Sequence, residues 1–153
     1  EANTSGADIA VSFHANAGSG DGAEFFYYST SANGKKLAQL CDKYVKGLGQ
    51  NSRGIKSGDH LYFVRKTNMT AVLCESFFLD NDKDNDIGDT VEEQRAFGIA
   101  YAKAILEYLG ISYKAVEAIE KLYRVQVGAF KNRELAEKLL AELREKGYIG
   151  LIV

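Results

Sequence analysis

The sequence contains no apolar stretch near the roughly 20 residues needed to cross a bilayer; its longest apolar runs are segments such as residues 9–13 and 71–74. A membrane-spanning helix is excluded on that ground. There is no excess of positive charge either. Lys and Arg number 19 against 21 Asp and Glu, a formal net charge of −2, whereas a nucleic-acid binder is expected to carry a strongly basic face. Cysteine is scarce, and Cys41 and Cys74 are too few for a disulfide scaffold. Each sits among apolar residues and reads as a buried free thiol. The opening residues Glu1-Ala2-Asn3-Thr4 lack the basic start and apolar core of a signal peptide. With no Met at position 1, the chain is expected to be cut at its front.

What is present is a globular mixture, 46% hydrophobic and 26% charged, able to bury a core. Charge is unevenly spread. Residues 1–112 carry 11 Lys and Arg against 15 Asp and Glu, while residues 113–153 carry 8 against 6, which places a boundary near Ser112. Residues 7–13 form a short apolar run that reads as a buried strand ending at His14. A Gly/Ser turn leads to a second, aromatic strand at 23–28. Asn33 can cap a helix whose apolar stripe is Leu37, Leu40, Cys41, Tyr44, Val45 and Leu48. A loop carrying Arg53 and Lys56 follows, then two expected strands at 61–64 and 71–77. Thr90 and Glu93 make a capping box for a helix that Gly110 stops. Strands that are continuous apolar runs, interleaved with amphipathic helices, predict an α/β fold: a mainly parallel twisted sheet with helices on both faces. Beyond Ser112, residues 113–121 read as a helical connector. A strand at 122–130, a helix at 134–146 and the start of another strand at 149–153 then make a partial ferredoxin-like β-α-β module. The tail is expected to be truncated as well.

Only two histidines exist, His14 and His60. His14 follows one buried strand and Glu75 stands near the end of another. Were those strands parallel, both residues would reach the carboxyl edge of the sheet, where open α/β sheets place their functional crevice. A His and a carboxylate converging there suit a hydrolytic zinc site, with imidazole as ligand and Glu polarising water. On spacing alone the blander alternative is commoner: a hydrogen-bonded His and a rim Glu. A catalytic zinc also takes three protein ligands, and His60 begins a different element. Asp82-x-Asp84-x-Asp86 with Glu93 has the spacing of an EF-hand calcium loop, but Ile87 stands where that loop needs Gly. Helix capping accounts for the segment better. Arg53 and Lys56 could meet a substrate carboxylate, though isolated basic loop residues are usually just solvated.

Residues 7–17 (ADIAVSFHANA) resemble the third metal-ligand motif of the zinc-dependent LytC-type N-acetylmuramoyl-L-alanine amidases. Residues 22–28 (GAEFFYY), 61–65 (LYFVR) and 70–81 (TAVLCESFFLDN) are similar to the strands that follow in that family. The resemblance covers about residues 1–110. It implies Zn2+ as cofactor, His14 as a zinc ligand and Glu75 as catalytic base; Asn16, beside His14, and Arg53, in its loop, are candidate substrate-binding residues. It also implies hydrolysis of the bond between N-acetylmuramic acid and L-alanine in peptidoglycan. The family's other two ligands, a His and a Glu, are not in this sequence, so the chain as given is expected to bind zinc poorly and to be inactive.

Residues 123–130 (YRVQVGAF) and the helix after them resemble the opening of a SPOR domain, a peptidoglycan-binding module. Strand alternation puts Arg124 and Gln126 on one face, where they could hydrogen-bond sugar or, for Arg124 as readily, simply be solvated. The domain reading is therefore the C-terminal portion of an amidase at 1–112, a linker at 113–121 and a truncated SPOR-like domain at 122–153. The implied partner is peptidoglycan, not nucleic acid. The implied location is extracytoplasmic, at the cell wall, by secretion or by release at lysis. The rival reading is a non-catalytic wall-binding protein with a degenerate amidase-like part.

Overall fold

The computed structural model describes residues 2–114, 127–148 and 152. The chain divides into two compact units, Glu1–Lys114 and Ala115–Val153.

In the first unit, strands β1 (Ile9–Asn16), β2 (Ala23–Tyr27), β3 (Ser52–Ser57) and β4 (Thr70–Phe78) form one sheet in the order β1-β4-β2-β3. β1 pairs parallel with β4 and β2 pairs parallel with β3, while β2 and β4 are antiparallel. The sheet is thus mostly parallel, as the apolar runs predict.

Helix α1 (Ala32–Lys46) forms the crossover between β2 and β3. Its N-cap is Ser31, not Asn33: the Ser31 hydroxyl accepts the Gly34 N–H at 2.9 Å. Serine with extended backbone satisfies one of the orphan donors of the first turn, which places the start two residues earlier.

Residues 61–64, expected as a strand, belong instead to a short helix α2 (Tyr62–Lys66) with Leu61 at its N-cap. Leu61 and Val64, three apart, meet Phe26, Ala71 and Leu73 on one face of the sheet. That contact needs a helical spacing, and a four-residue apolar run is ambiguous between the two periods. Arg53 and Lys56, expected in a loop, lie on β3. Pairing with β2 satisfies that segment's backbone, which a charged sequence did not advertise.

Helix α4 (Val91–Tyr108) begins with the complete Thr90–Glu93 capping box and packs on α1. Together α1 and α4 cover the other face, burying Phe25, Leu37, Cys41, Val45, Val72, Cys74, Phe97 and Tyr101. Burying one such aromatic or branched side chain is worth about 1.5–3 kcal/mol. Cys41 and Cys74 are free and buried, as their apolar surroundings foretold.

The expected acidic loop after β4 holds a one-turn helix α3 (Asp82–Asn85), N-capped by Asn81. Asp84 is 2% exposed and accepts from Gly22 N (3.0 Å), Phe78 N (2.6 Å) and Gln50 Nε2 (2.7 Å). Its carboxylate ties the start of β2 to the end of β4, which rules out its use as a calcium ligand. Asp80 accepts the N–H groups of Gly18 and Ser19 and so pins the turn after β1.

Gly88 lies against the ring of Phe77, which is buried on the α4 face, and a Cβ there would collide with that ring. Gly88→Ala should cost about 1–3 kcal/mol through overpacking. A thermal melt unchanged from the parent would contradict this packing.

In the second unit, α5 (Arg133–Glu145) is capped by Asn132, and Gly147 follows with φ +84°. Residues 127–130, part of the expected strand, show no strand pairing, and Val127 and Phe130 are exposed. Arg124, Gln126, the connector at 115–121 and most of the last expected strand lie outside the described residues.

Candidate active site

The site follows from strand order and side-chain alternation. Ala10 of β1 and Leu73 of β4 both belong to the cluster under α2. Two- and four-residue steps along a strand keep to one face, so His14 and Glu75 point to that same side. They are direct register partners on the adjacent parallel strands β1 and β4, near the carboxyl ends. The same ladder continues across the sheet, where Glu75 faces Glu24 of β2 in antiparallel register. Beyond Glu24, on β3, stand Arg53 and Lys56. A row of ionisable groups therefore crosses all four strands in the order imidazole, carboxylate, carboxylate, paired cations.

Each member is held differently. The His14 ring shares a 2.7 Å hydrogen bond between Nε2 and the Ser12 hydroxyl, the donor depending on the tautomer. Glu75 is half-buried, and its Oε2 is buried without a hydrogen-bond partner. Burial raises the Glu75 carboxyl above its ordinary range; the His14 charge works against this and the Glu24 charge adds to it. An orphaned buried acceptor is uncommon in native structures and calls for a specific explanation.

Glu24 is buried but well partnered. Its Oε1 accepts Arg53 Nε and Lys56 Nζ, both at 2.5 Å, and its Oε2 accepts Asn16 Nδ2 at 3.3 Å. Burial pushes this carboxyl up, but hydrogen bonds from Lys56 and Arg53, with their charges, outweigh it and leave it below the ordinary value.

The residues named from sequence thus converge in part. His14, Glu75, Asn16 and Arg53 meet at one sheet edge. Asn16 faces inward, donating to Glu24 while its Oδ1 accepts Ala17 N–H. His60 sits apart, its ring edge-on to Phe26 at 6.1 Å. Glu24 was not singled out from sequence. Its signal was available: a lone carboxylate inside an apolar strand must be paired if that strand is buried.

Zinc requires three protein ligands and an open position. Among the described residues, no three His, Cys, Asp or Glu side chains gather so as to hold a metal ion. His14 offers an imidazole and Glu75 a free carboxylate oxygen, which suits one ligand and one base. The described residues do not complete a zinc centre.

A family model for N-acetylmuramoyl-L-alanine amidase matches residues 1–107, and one for the SPOR domain matches residues 100–153. The chain is 29% identical over 154 residues to the N-acetylmuramoyl-L-alanine amidase CwlM of Bacillus licheniformis, covering 99% of this chain and 59% of that protein. It spans, then, somewhat over half of that relative's length. Among solved structures it is similar to the CwlD amidase of Clostridioides difficile, determined in complex with the GerS lipoprotein. The TM-score is 0.66 and the identity 28%, over 71% of this chain and 58% of that one. The catalytic domain of CwlV, an N-acetylmuramoyl-L-alanine amidase from Bacillus (Paenibacillus) polymyxa var. colistinus, gives a TM-score of 0.63 at 31% identity, over 69% and 60%. With the His14–Glu75 edge in place and a model matched over most of its length, the chain belongs to the N-acetylmuramoyl-L-alanine amidase family, its amidase region followed by a SPOR domain.

Proposed function

We propose that this chain supplies the catalytic base and one zinc ligand of an enzyme that hydrolyses the amide between N-acetylmuramic acid and L-alanine in peptidoglycan. The observation that carries the reading is the register pair of His14 with Glu75, whose buried Oε2 has no partner, in a chain of the amidase family.

Glu75 would accept a proton from the attacking water. It would return that proton to the alanine nitrogen as the carbon–nitrogen bond breaks. A carboxyl raised by burial is a stronger base than a solvated one, which moves it toward its task. His14, its ring oriented by Ser12, would serve as a neutral ligand. Zinc, when bound, supplies a Lewis acid for the scissile carbonyl. Arg53 would face the substrate, while Asn16, turned toward Glu24, would help hold that carboxylate. The SPOR match supports a second hold on glycan, with Arg124 and Gln126 as its polar face. Peptidoglycan lies outside the cytoplasmic membrane, so the action is proposed to be extracytoplasmic. No helix among the described residues is long and apolar enough to cross a membrane.

The rival, a wall-binding protein without catalysis, draws on the absence of a three-ligand group among the described residues. Metal analysis and wall clearing separate the two. The purified 153-residue chain should hold well under one zinc and should not clear a suspension of cell walls. A protein that carries the full ligand set should gain zinc and clearing together. Full zinc with no clearing in that protein would favour the rival. A monomeric 153-residue chain that is already zinc-loaded and active would overturn the assignment of the site.

A further inference from the structure

The row across the sheet ends in two cations that share one oxygen. Arg53 Nε and Lys56 Nζ both reach Glu24 Oε1, so two positive charges are held by one negative charge. The guanidinium commits only its inner nitrogen to Glu24. Among the described residues no hydrogen bond engages its two terminal nitrogens, and the Arg53 side chain remains 44% exposed. The group also lies over an aromatic ring. Its carbon lies 5.4 Å from the centroid of the Phe78 ring, a cation–π distance. A guanidinium held by a carboxylate at its inner nitrogen, with an aromatic ring beside it, keeps its two terminal nitrogens as a fork of donors. That fork matches a carboxylate, which it can bind through two parallel hydrogen bonds.

Distance decides which carboxylate. Neighbouring strands lie about 4.8 Å apart, and β2 is one strand from β4. Cations that fold back onto Glu24 therefore stand roughly one to two strand spacings, about 5–10 Å, from Glu75. Successive peptide residues are about 3.8 Å apart, so a carboxylate one or two residues beyond the scissile amide reaches this spot.

We propose that Arg53 and Lys56, positioned by Glu24, form a subsite for a free carboxylate of the stem peptide near the scissile bond. The inference rests on the amidase reading and adds a substrate requirement to it: a stem whose near carboxylate is amidated loses this contact. Glu24 is a positioning residue, acting through Arg53 and Lys56.

The test is direct binding to the 153-residue chain, measured by calorimetry. The probes are N-acetylmuramoyl-L-alanyl-D-glutamate and its α-amide, and amide spectra verify that each variant is folded. The acid should bind about 10- to 100-fold more tightly than the amide, the range of a charge-assisted contact. Arg53→Gln should remove most of that preference and Lys56→Gln part of it. Glu24→Gln should weaken the acid while leaving the amide unchanged, a split that general loosening of the fold would not produce. Equal binding of acid and amide by the parent chain overturns the subsite. So does a preference that survives in the double variant Arg53→Gln with Lys56→Gln, and so does no saturable binding of either probe. Wall clearing by a protein with the full ligand set judges the amidase reading separately, whichever way the binding falls.

Discussion

Glu75→Gln, in a protein that carries the full ligand set, should lower hydrolysis by about 10²–10⁴-fold, the usual contribution of a positioned base, and should leave zinc bound. Glutamine keeps the shape and removes the proton acceptor. The Glu75 Oε2 has no partner to lose, so the substitution breaks no hydrogen bond at that atom. It also relieves the repulsion from Glu24 across the β2–β4 ladder, and the variant should be at least as stable as the parent. His14→Ala behaves differently. It removes the proposed ligand, so zinc content and activity should fall together. Zinc measured on both purified variants separates the roles, and equal metal loss in the two would make Glu75 a ligand instead.

The largest effect on stability should come from a residue outside the catalytic row. Asp84→Ala leaves Gly22 N–H, Phe78 N–H and the Gln50 amide without their shared acceptor in a buried place. Removing a buried charged partner costs roughly 3–5 kcal/mol, and each stranded donor adds to the strain. For a domain of this size that amounts to a fall in Tm of about 10–20 °C. Asp84→Asn should lose less, since it retains one acceptor oxygen. The effect also reaches function, because Gly22 N–H begins the strand that carries Glu24. Gly22 itself has φ +97° and lies against Asn51, a turn that a side chain would strain. A melt of Asp84→Ala within 3 °C of the parent would refute the tie.

Much of the site was legible because its signals are local. An apolar run ending in His14, and another bearing Glu75, place both residues once the strands are parallel, and β1 and β4 are parallel neighbours. The capping box of Thr90 and Glu93 was readable for the same reason: spacing within one turn fixes it. What escaped depends on contacts between distant segments. Residues 61–64 suit either period, and only their seat against Phe26, Ala71 and Leu73 makes them helical. Arg53 and Lys56 read as solvated loop residues until β3 pairs with β2 and brings them to Glu24. Asp84 looked like part of a cation loop because a sequence shows its charge and not the backbone N–H groups that saturate it. The antiparallel step between β2 and β4, which sets the two carboxylates opposite each other, follows from topology alone.

Among the described residues, the order β1-β4-β2-β3 gives β4 a neighbour on each side and β1 one. Strand opening is cheapest where fewest ladder bonds must break, so an edge strand frays at a fraction of the free energy needed to open a central one. Glu75 should therefore ride on the part of the described sheet that exchanges its amide hydrogens last, and His14 on a part that exchanges earlier. The proposed base should then keep its position through fluctuations that displace the proposed ligand, and a strand pairing with the outer side of β1 would raise the fraction of time the imidazole is in place.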